Sequence, residues 1–377
     1  MADFDVLVIG GGIAGISIAS ELAATHRVCL VEAEPALAYH TTGRSAATWI
    51  GTYGNGTVRA LTAASHDFFL DPTGCGDGPF RDVVLGSPLV CMHVGPAGFE
   101  DQVAALHADV VGLTPGARLI DAAEATALVP VLRSDWVTAA VVEPGALEID
   151  VAGFHQGYKR GLTAHGGVIH TLARVDTAER IGGRWKVTAG VAQEFTVSHV
   201  VNAAGAWVDQ VAEIFGAAPV GIQPRLRSIY MVGAESIDQR LPMVISIDEE
   251  NPFYFKRDSG QYLCSPADAT LTTPRDAKPD DLEIARSIDA INEATTIGIR
   301  SIRTPWAGLR SFVPDGSPVI GPDPSVEGFF WYAGQGGYGI QMAPAAARLG
   351  AALLRGESAP ADIVATGFDP ASVAPGR

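Results

Sequence analysis

Three glycines at positions 10, 12 and 15, with an acid at position 32, have the spacing of a dinucleotide-binding turn. Gly10 would permit the tight turn, Gly12 would let the backbone approach a pyrophosphate, and Gly15 would let the next helix pack closely on the preceding strand. The N-terminus of that helix would offer N–H groups and a positive dipole end to the phosphates. Glu32 would accept hydrogen bonds from the adenosine ribose hydroxyls, and an acid there disfavours a 2′-phosphate and hence NADP. A second glycine-rich run, Gly334-Gln335-Gly336-Gly337-Tyr338-Gly339, stands late in the chain.

These groups need particular elements to hold them. Val6-Leu7-Val8-Ile9 is a continuous apolar run, as in a parallel strand buried on both faces. The glycines lead into a small-residue helix to about residue 24, and residues 27–32 form the second strand. A strand before the glycines, a helix after them and an acid at the right distance agree on a dinucleotide site. Further on, short apolar runs broken by Gly and Pro fill residues 80–142, and 149–162 is predicted helical. Residues 167–170 form a strand, and 184–188 with 195–201 a small antiparallel unit. A strand-rich section covers 221–264, with helices over 280–293 and about 341–354 and a strand over 328–333. The predicted fold is α/β: a Rossmann-like dinucleotide domain and a mainly antiparallel α+β substrate domain, both discontinuous. Residues 1–80, 143–218 and 304–377 are assigned to the first, and 81–142 and 219–303 to the second.

The 377 residues carry 42 acidic and 26 basic side chains, a formal charge of −16. That balance argues against nucleic acid, whose footprint is a basic patch or stripe. Only four of the basic residues are lysines, leaving 22 arginines; local anion binding is therefore expected from guanidinium forks. Cys29, Cys75, Cys91 and Cys264 form no CxxC pair and no zinc-like group with histidine, so no metal site is expected. Their scarcity fits a reducing cytoplasm. The apolar stretch 6–19 follows Asp3 and Asp5 and is interrupted by glycines, unlike a signal peptide. No run reaches the roughly 18 apolar residues of a membrane span.

Four segments together resemble the FAD-dependent amine and amino-acid oxidoreductases of the D-amino-acid oxidase type. They are residues 8–15, Thr42-Gly43-Arg44-Ser45-Ala46-Ala47, residues 201–207 and Gly336-Gly337-Tyr338-Gly339-Ile340-Gln341. Residues 39–47, 59–65 and 306–312 look most like the bacterial D-arginine dehydrogenase branch. The resemblance spans nearly the whole chain and implies non-covalent FAD. Its cofactor set, carried over by position, is Gly10, Gly12, Ile13, Ala14, Gly15, Glu32, Ala33, Thr41, Thr42, Gly43, Arg44, Ser45, Ala46, Ala47, Thr48, Val175, Ala204, Gly205, Trp207, Arg310, Gly336, Gly337, Tyr338, Gly339, Ile340 and Gln341. The stretch 41–48 would lie along the ribityl chain and ring, where small residues permit backbone contact. The final helix N-terminus would face the flavin edge that gains negative charge on reduction. No cysteine lies near 331–341 for covalent attachment, and His40 is read as structural.

The same resemblance implies a catalytic set of Tyr53, Arg227, Tyr254, Arg310, Gly337 and Gln341. Arg310 matches the arginine that binds the substrate carboxylate; Arg227 matches a second, with Arg225 as a neighbouring alternative. Tyr53 and Tyr254 match pocket tyrosines. The D-arginine branch carries a glutamate for the cationic side chain where this chain has Leu89, and a His and a Thr where it has Thr48 and Ile50. With Met243 and Ile245 these residues imply an apolar pocket that gives a guanidinium no partner. The expected reaction is oxidative deamination of D-amino acids with neutral, apolar side chains: hydride passes from Cα to flavin N5, and the imine hydrolyses to a 2-oxo acid and ammonia. A quinone or oxygen would take the electrons. Sarcosine- or glycine-type amine oxidation and a flavoprotein subunit of a heteromeric dehydrogenase are the alternatives. An NAD-linked dehydrogenase would leave the C-terminal glycines unexplained.

Overall fold

The computed structural model describes residues 2–72, 78–81, 83–233 and 240–377; Cys75 lies outside them. Val6–Ile9 and Val28–Val31 are buried at every position because each strand serves two cores. Val6, Val8, Val28 and Leu30 point into one apolar cluster, while Leu7, Ile9, Cys29 and Val31 point into another. This is the period-2 alternation of a strand covered on both faces. The two strands lie in a six-stranded sheet ordered Val319–Pro322, Phe329–Ala333, His199–Asn202, Val6–Ile9, Val28–Val31, Val168–His170. All neighbours are parallel except the first pair.

On one face of this sheet lie the helices Ile13–Ala23, Val151–Ala164 and Gly339–Leu354. On the other lie helix Val208–Ile214 and a four-stranded sheet that includes Arg184–Ala189 and Gln193–Val197. The expected strand over 195–201 is thus two strands. Gln193–Val197 belongs to the small sheet, and His199–Asn202 turns into the parallel one. Helix 149–162 begins later than expected, at Val151, because Asp150 caps it: its carboxylate accepts from the Gly153 N–H at 2.8 Å.

Among the described residues the second sheet contains nine strands, and its longest two, Gly86–Pro96 and Val137–Ile149, pair toward one side of it. Residues 86–96 form one long strand despite Pro88, Gly95 and Pro96. Its register with Val137–Ile149 shifts at Leu89/Val90 and at Gly95/Pro96, and such irregularities accommodate residues that break regular ladders. The strand Val137–Ile149 runs through residue 142, where the domain boundary is expected, and Pro305–Phe312 pairs with Gln223–Gly233 across the other boundary. One face of the sheet packs on helix Asp281–Ala294. The other carries Met243, Tyr254, Leu263 and Cys91 into a cluster with Ile50. Among the described residues, no helix is long and apolar enough to cross a membrane.

Candidate active site

The turn after Val6–Ile9 is built on two contacts that exclude side chains. Gly10 has φ +107°, and a Cβ there would lie 2.5 Å from the Ala203 carbonyl oxygen. A Cβ on Gly15 would lie 1.8 Å from the carbonyl oxygen of Gly10, so helix and turn meet backbone to backbone. Glu32 braces the loop, its carboxylate accepting from Gly11 N–H at 2.7 Å and Glu34 N–H at 2.9 Å. The Thr42 hydroxyl accepts from Ile13 N–H at 2.9 Å, tying 41–44 to the start of the helix. His155, buried on helix Val151–Ala164, donates from Nε2 to the Gly11 carbonyl at 3.0 Å. Burial holds its pKa below the ordinary value, which suits a neutral structural imidazole. No sequence pattern marked His155.

From this turn one continuous cavity of about 730 Å³ runs to the face of the large sheet. Of the expected cofactor residues, Gly10, Gly12, Ile13, Ala14, Glu32, Ala33, Thr41, Thr42, Arg44, Ser45, Ala46, Ala47, Thr48, Val175, Ala204, Gly205, Trp207, Arg310, Gly336, Gly337, Gly339, Ile340 and Gln341 line it. Three others stand behind the wall. Gly15 makes the backbone contact above, Gly43 donates its N–H to the Ala38 carbonyl at 3.1 Å, and Tyr338 packs edge-on against Tyr53 at 4.9 Å. Ala47 is held at φ +58° on the cavity wall, a strained conformation for a side chain and characteristic of functional segments. The 41–44 turn is fixed from outside. Thr41 Oγ1 donates to the Leu309 carbonyl at 2.8 Å, and Arg44 pairs with Asp276 at 2.7 Å. His40 is engaged by Glu34 at 2.9 Å and by the Trp207 ring at 4.8 Å.

At the far end, helix Gly339–Leu354 presents an N-terminus with no side-chain cap to the cavity. Beside it Arg310 Nη1 donates to the Tyr53 hydroxyl at 3.0 Å. Arg227 Nε donates to the Asp268 carbonyl at 2.7 Å, and its guanidinium stands 5.9 Å from the Tyr254 ring centre. Arg227 lines the cavity and Arg225 does not; Arg225 reaches Gln223 instead. The Tyr254 hydroxyl is buried without a hydrogen-bond partner. Burial and the neighbouring Arg310 charge push the Arg227 pKa down. For Arg310, burial acts against the charge, but Tyr53 and Tyr254 outweigh it and the pKa stays raised. Arg310 in turn draws the Tyr53 phenol below its ordinary value, against the effect of burial. The Asp268 carboxylate, 3.9 Å from Arg227 Nε, does not offset burial and the repulsion between the two guanidiniums, and with the unpartnered hydroxyl beside them the site can take a further anion.

Gln341 lines the cavity, but its amide is committed. It donates to Thr62 Oγ1 at 2.9 Å and its oxygen accepts from Ile50 N–H at 3.4 Å, fixing the segment that carries Tyr53. Gly337 leaves room for Arg310, since a Cβ there would sit 3.1 Å from its Nη1. Ile50, Met243, Ile245 and Thr48 line the cavity, and Leu89 packs against the cluster that holds Ile50, Met243 and Ile245 without reaching the cavity. Leu89 stands opposite Ala146 at the start of a register shift, one strand removed from Met243. Four polar wall residues, Thr52, Arg59, His93 and Glu143, went unmarked in the sequence. They lie apart along the chain, and sheet register alone unites His93 with Glu143.

Both the turn at Gly10 and the cavity fit an elongated dinucleotide. The model described as DAO, FAD dependent oxidoreductase, matches residues 5–353, and the chain belongs to that family; its cofactor is FAD. Glycine oxidase of Bacillus licheniformis is 26% identical over 383 residues, covering 94% of this chain and 93% of that protein. FAD-dependent oxidoreductase domain-containing protein 1 of Bos taurus is 30% identical over 175 residues, 40% of this chain. The chain spans only about a third of the length of that bovine relative, 34%. The crystal structure of glycine oxidase from Geobacillus kaustophilus shares the fold with a TM-score of 0.83 at 20% identity, covering 100% of this chain and 99% of that one.

Proposed function

We propose that the protein oxidises the Cα–N bond of D-amino acids with neutral side chains, apolar next to Cα, yielding a 2-oxo acid and ammonia. The observation that carries this reading is the pair Arg310 and Arg227, of which Arg227 alone has a carboxylate near it, Asp268 at 3.9 Å, set with Tyr53 and the unpartnered Tyr254 hydroxyl beside an apolar wall of Ile50, Met243 and Ile245. A planar carboxylate would take the Arg310 fork and the two hydroxyls, and an α-amino acid clamped there has its Cα held rather than tumbling. Bound FAD supplies the two-electron acceptor, and a quinone or oxygen takes the electrons onward.

The chain's own residues bind, orient and exclude water. Arg310 and Arg227 fix the carboxylate, Tyr53 and Tyr254 donate to it, and the apolar wall takes the first carbons of the side chain. The substrate reacts as its neutral amine, because an ammonium nitrogen has no lone pair to assist loss of hydride. kcat/KM therefore rises with pH to a plateau, and a flat profile would contradict this. The assignment of 1–80, 143–218 and 304–377 to the cofactor and of 81–142 and 219–303 to the substrate is part of the same proposal.

The full-length likeness to the Bacillus glycine oxidase favours one alternative, oxidation of glycine or small secondary amines. Steady-state assays separate the two. Highest kcat/KM on a neutral D-amino acid such as D-methionine supports the proposal. Highest kcat/KM on glycine or sarcosine supports the alternative, and on D-arginine or D-lysine overturns the neutral preference.

A further inference from the structure

The apolar wall does not continue to the end of the pocket. On the cavity face of the large sheet, Ile245 pairs in register with His93, and Met243 pairs with Cys91, which pairs with Glu143. Residues opposite each other share a face, so His93 and Glu143 extend the surface begun by Ile245 and Met243, and both line the cavity. Glu143 is only 3% exposed. One carboxylate oxygen accepts from Thr52 Oγ1 at 2.6 Å. The other lies 2.8 Å from His93 Nε2, yet neither of those two atoms makes a well-directed hydrogen bond. Burial raises the Glu143 pKa, but His93, Thr52 and the Arg59 charge outweigh it and hold the carboxyl below its ordinary value. A buried, ionised carboxylate with an underused oxygen is costly unless something completes its coordination.

We propose that Glu143, with His93 and Thr52, is a polar subsite at the far end of the substrate pocket, taking an uncharged hydrogen-bond donor, a hydroxyl or carboxamide, at the tip of the substrate side chain. The inference rests on the proposed amino-acid oxidation and deepens it. The reach is suitable: His93 is two strand spacings from Tyr254, roughly 10 Å, and the Glu143 side chain, from the next strand, returns to within 2.8 Å of His93 Nε2. A glutamine-sized substrate extended over roughly 6 Å, plus one hydrogen bond of about 3 Å, spans that gap. An ammonium or guanidinium would have to shed its water beside Met243, Ile245, Leu106 and Val110 for a share of one carboxylate already engaged by Thr52. A hydroxyl or amide loses far less on desolvation, and one hydrogen bond to a charged acceptor compensates it.

The test uses the holoenzyme and two substrate pairs of matched length, D-glutamine against D-methionine and D-lysine against D-2-aminoheptanoate. Wild-type protein should favour D-glutamine over D-methionine in kcat/KM by about tenfold or more, as expected for one hydrogen bond to a charged group. Glu143→Gln and Glu143→Leu should each lower that ratio by about tenfold or more, and Thr52→Val should lower it in the same direction. Should the Glu143 variants lose their flavin, the wild-type ratio and Thr52→Val decide alone. A wild-type ratio near one, or a ratio indifferent to all three substitutions, overturns the subsite while D-methionine turnover leaves the parent reading intact. A preference for D-lysine over D-2-aminoheptanoate that Glu143→Gln abolishes reassigns the subsite to a cation and overturns the proposal. Failure of every one of these amino acids to reduce the flavin overturns both.

Discussion

The anion site turns on guanidinium shape as well as charge. Arg310→Lys keeps a cation but loses the fork that matches a carboxylate, and it also breaks the 3.0 Å hydrogen bond to Tyr53. It should lower kcat/KM by about 10²-fold, chiefly through KM, in steady-state assays. Tyr53 supplies a pH signature. Arg310 lowers the phenol's pKa below its usual value near 10. Deprotonation would neutralise Arg310 and remove a donor, so the kcat/KM plateau should fall on its alkaline side before pH 10. Tyr53→Phe should lose that fall. Arg310 was legible because it sits in a run, 306–312, that matches a family pattern, whereas Tyr53 rested on a match at a single position. Arg225 and Arg227 were not separable from sequence, since residues two apart on a strand share a face. What distinguishes them is the Asp268 carbonyl and the Tyr254 ring beside Arg227. Glu143 carried no signal: a single acid before Pro144 in an apolar stretch reads as an exposed strand end.

The elements around the cofactor were the most legible, because backbone contact leaves a trace in residue type. Gly15 is the sharpest case. Gly15→Ala would drive a Cβ to within 1.8 Å of the Gly10 carbonyl oxygen, and overpacking against backbone cannot be relieved by a rotamer change. Its expected cost is about 3 kcal/mol or more, read as a lower Tm together with a reduced ratio of flavin to protein absorbance. The long paired strands of the large sheet were hidden for the opposite reason. Pro88, Gly95, Pro96, Pro144 and Gly145 all punctuate like loop residues, yet they fall within Gly86–Pro96 and Val137–Ile149. Two register shifts absorb part of that irregularity. Pairing partners 40 or more residues away decide that outcome, and no local window contains them.

At the scale of the molecule, two sheets meet along one cavity, one holding the dinucleotide turn and the other a wall of polar and apolar residues. The formal charge of −16 has little bearing on substrate choice, since salt screens exposed charges beyond about 8–10 Å. Arg310 and Arg227 form a local positive site inside an acidic protein. The described cysteines, Cys29, Cys91 and Cys264, are buried and free, and none lines the cavity. Acid precipitation should therefore release the flavin into the supernatant, and colour retained in the pellet would contradict non-covalent binding. The central claim meets its most direct measurement in anaerobic bleaching of the bound flavin by the two enantiomers of one neutral amino acid, such as methionine. The D-form should bleach the flavin in a saturable, single-turnover reaction and the L-form should leave it yellow; faster bleaching by the L-form, or none by either, would contradict the proposed function.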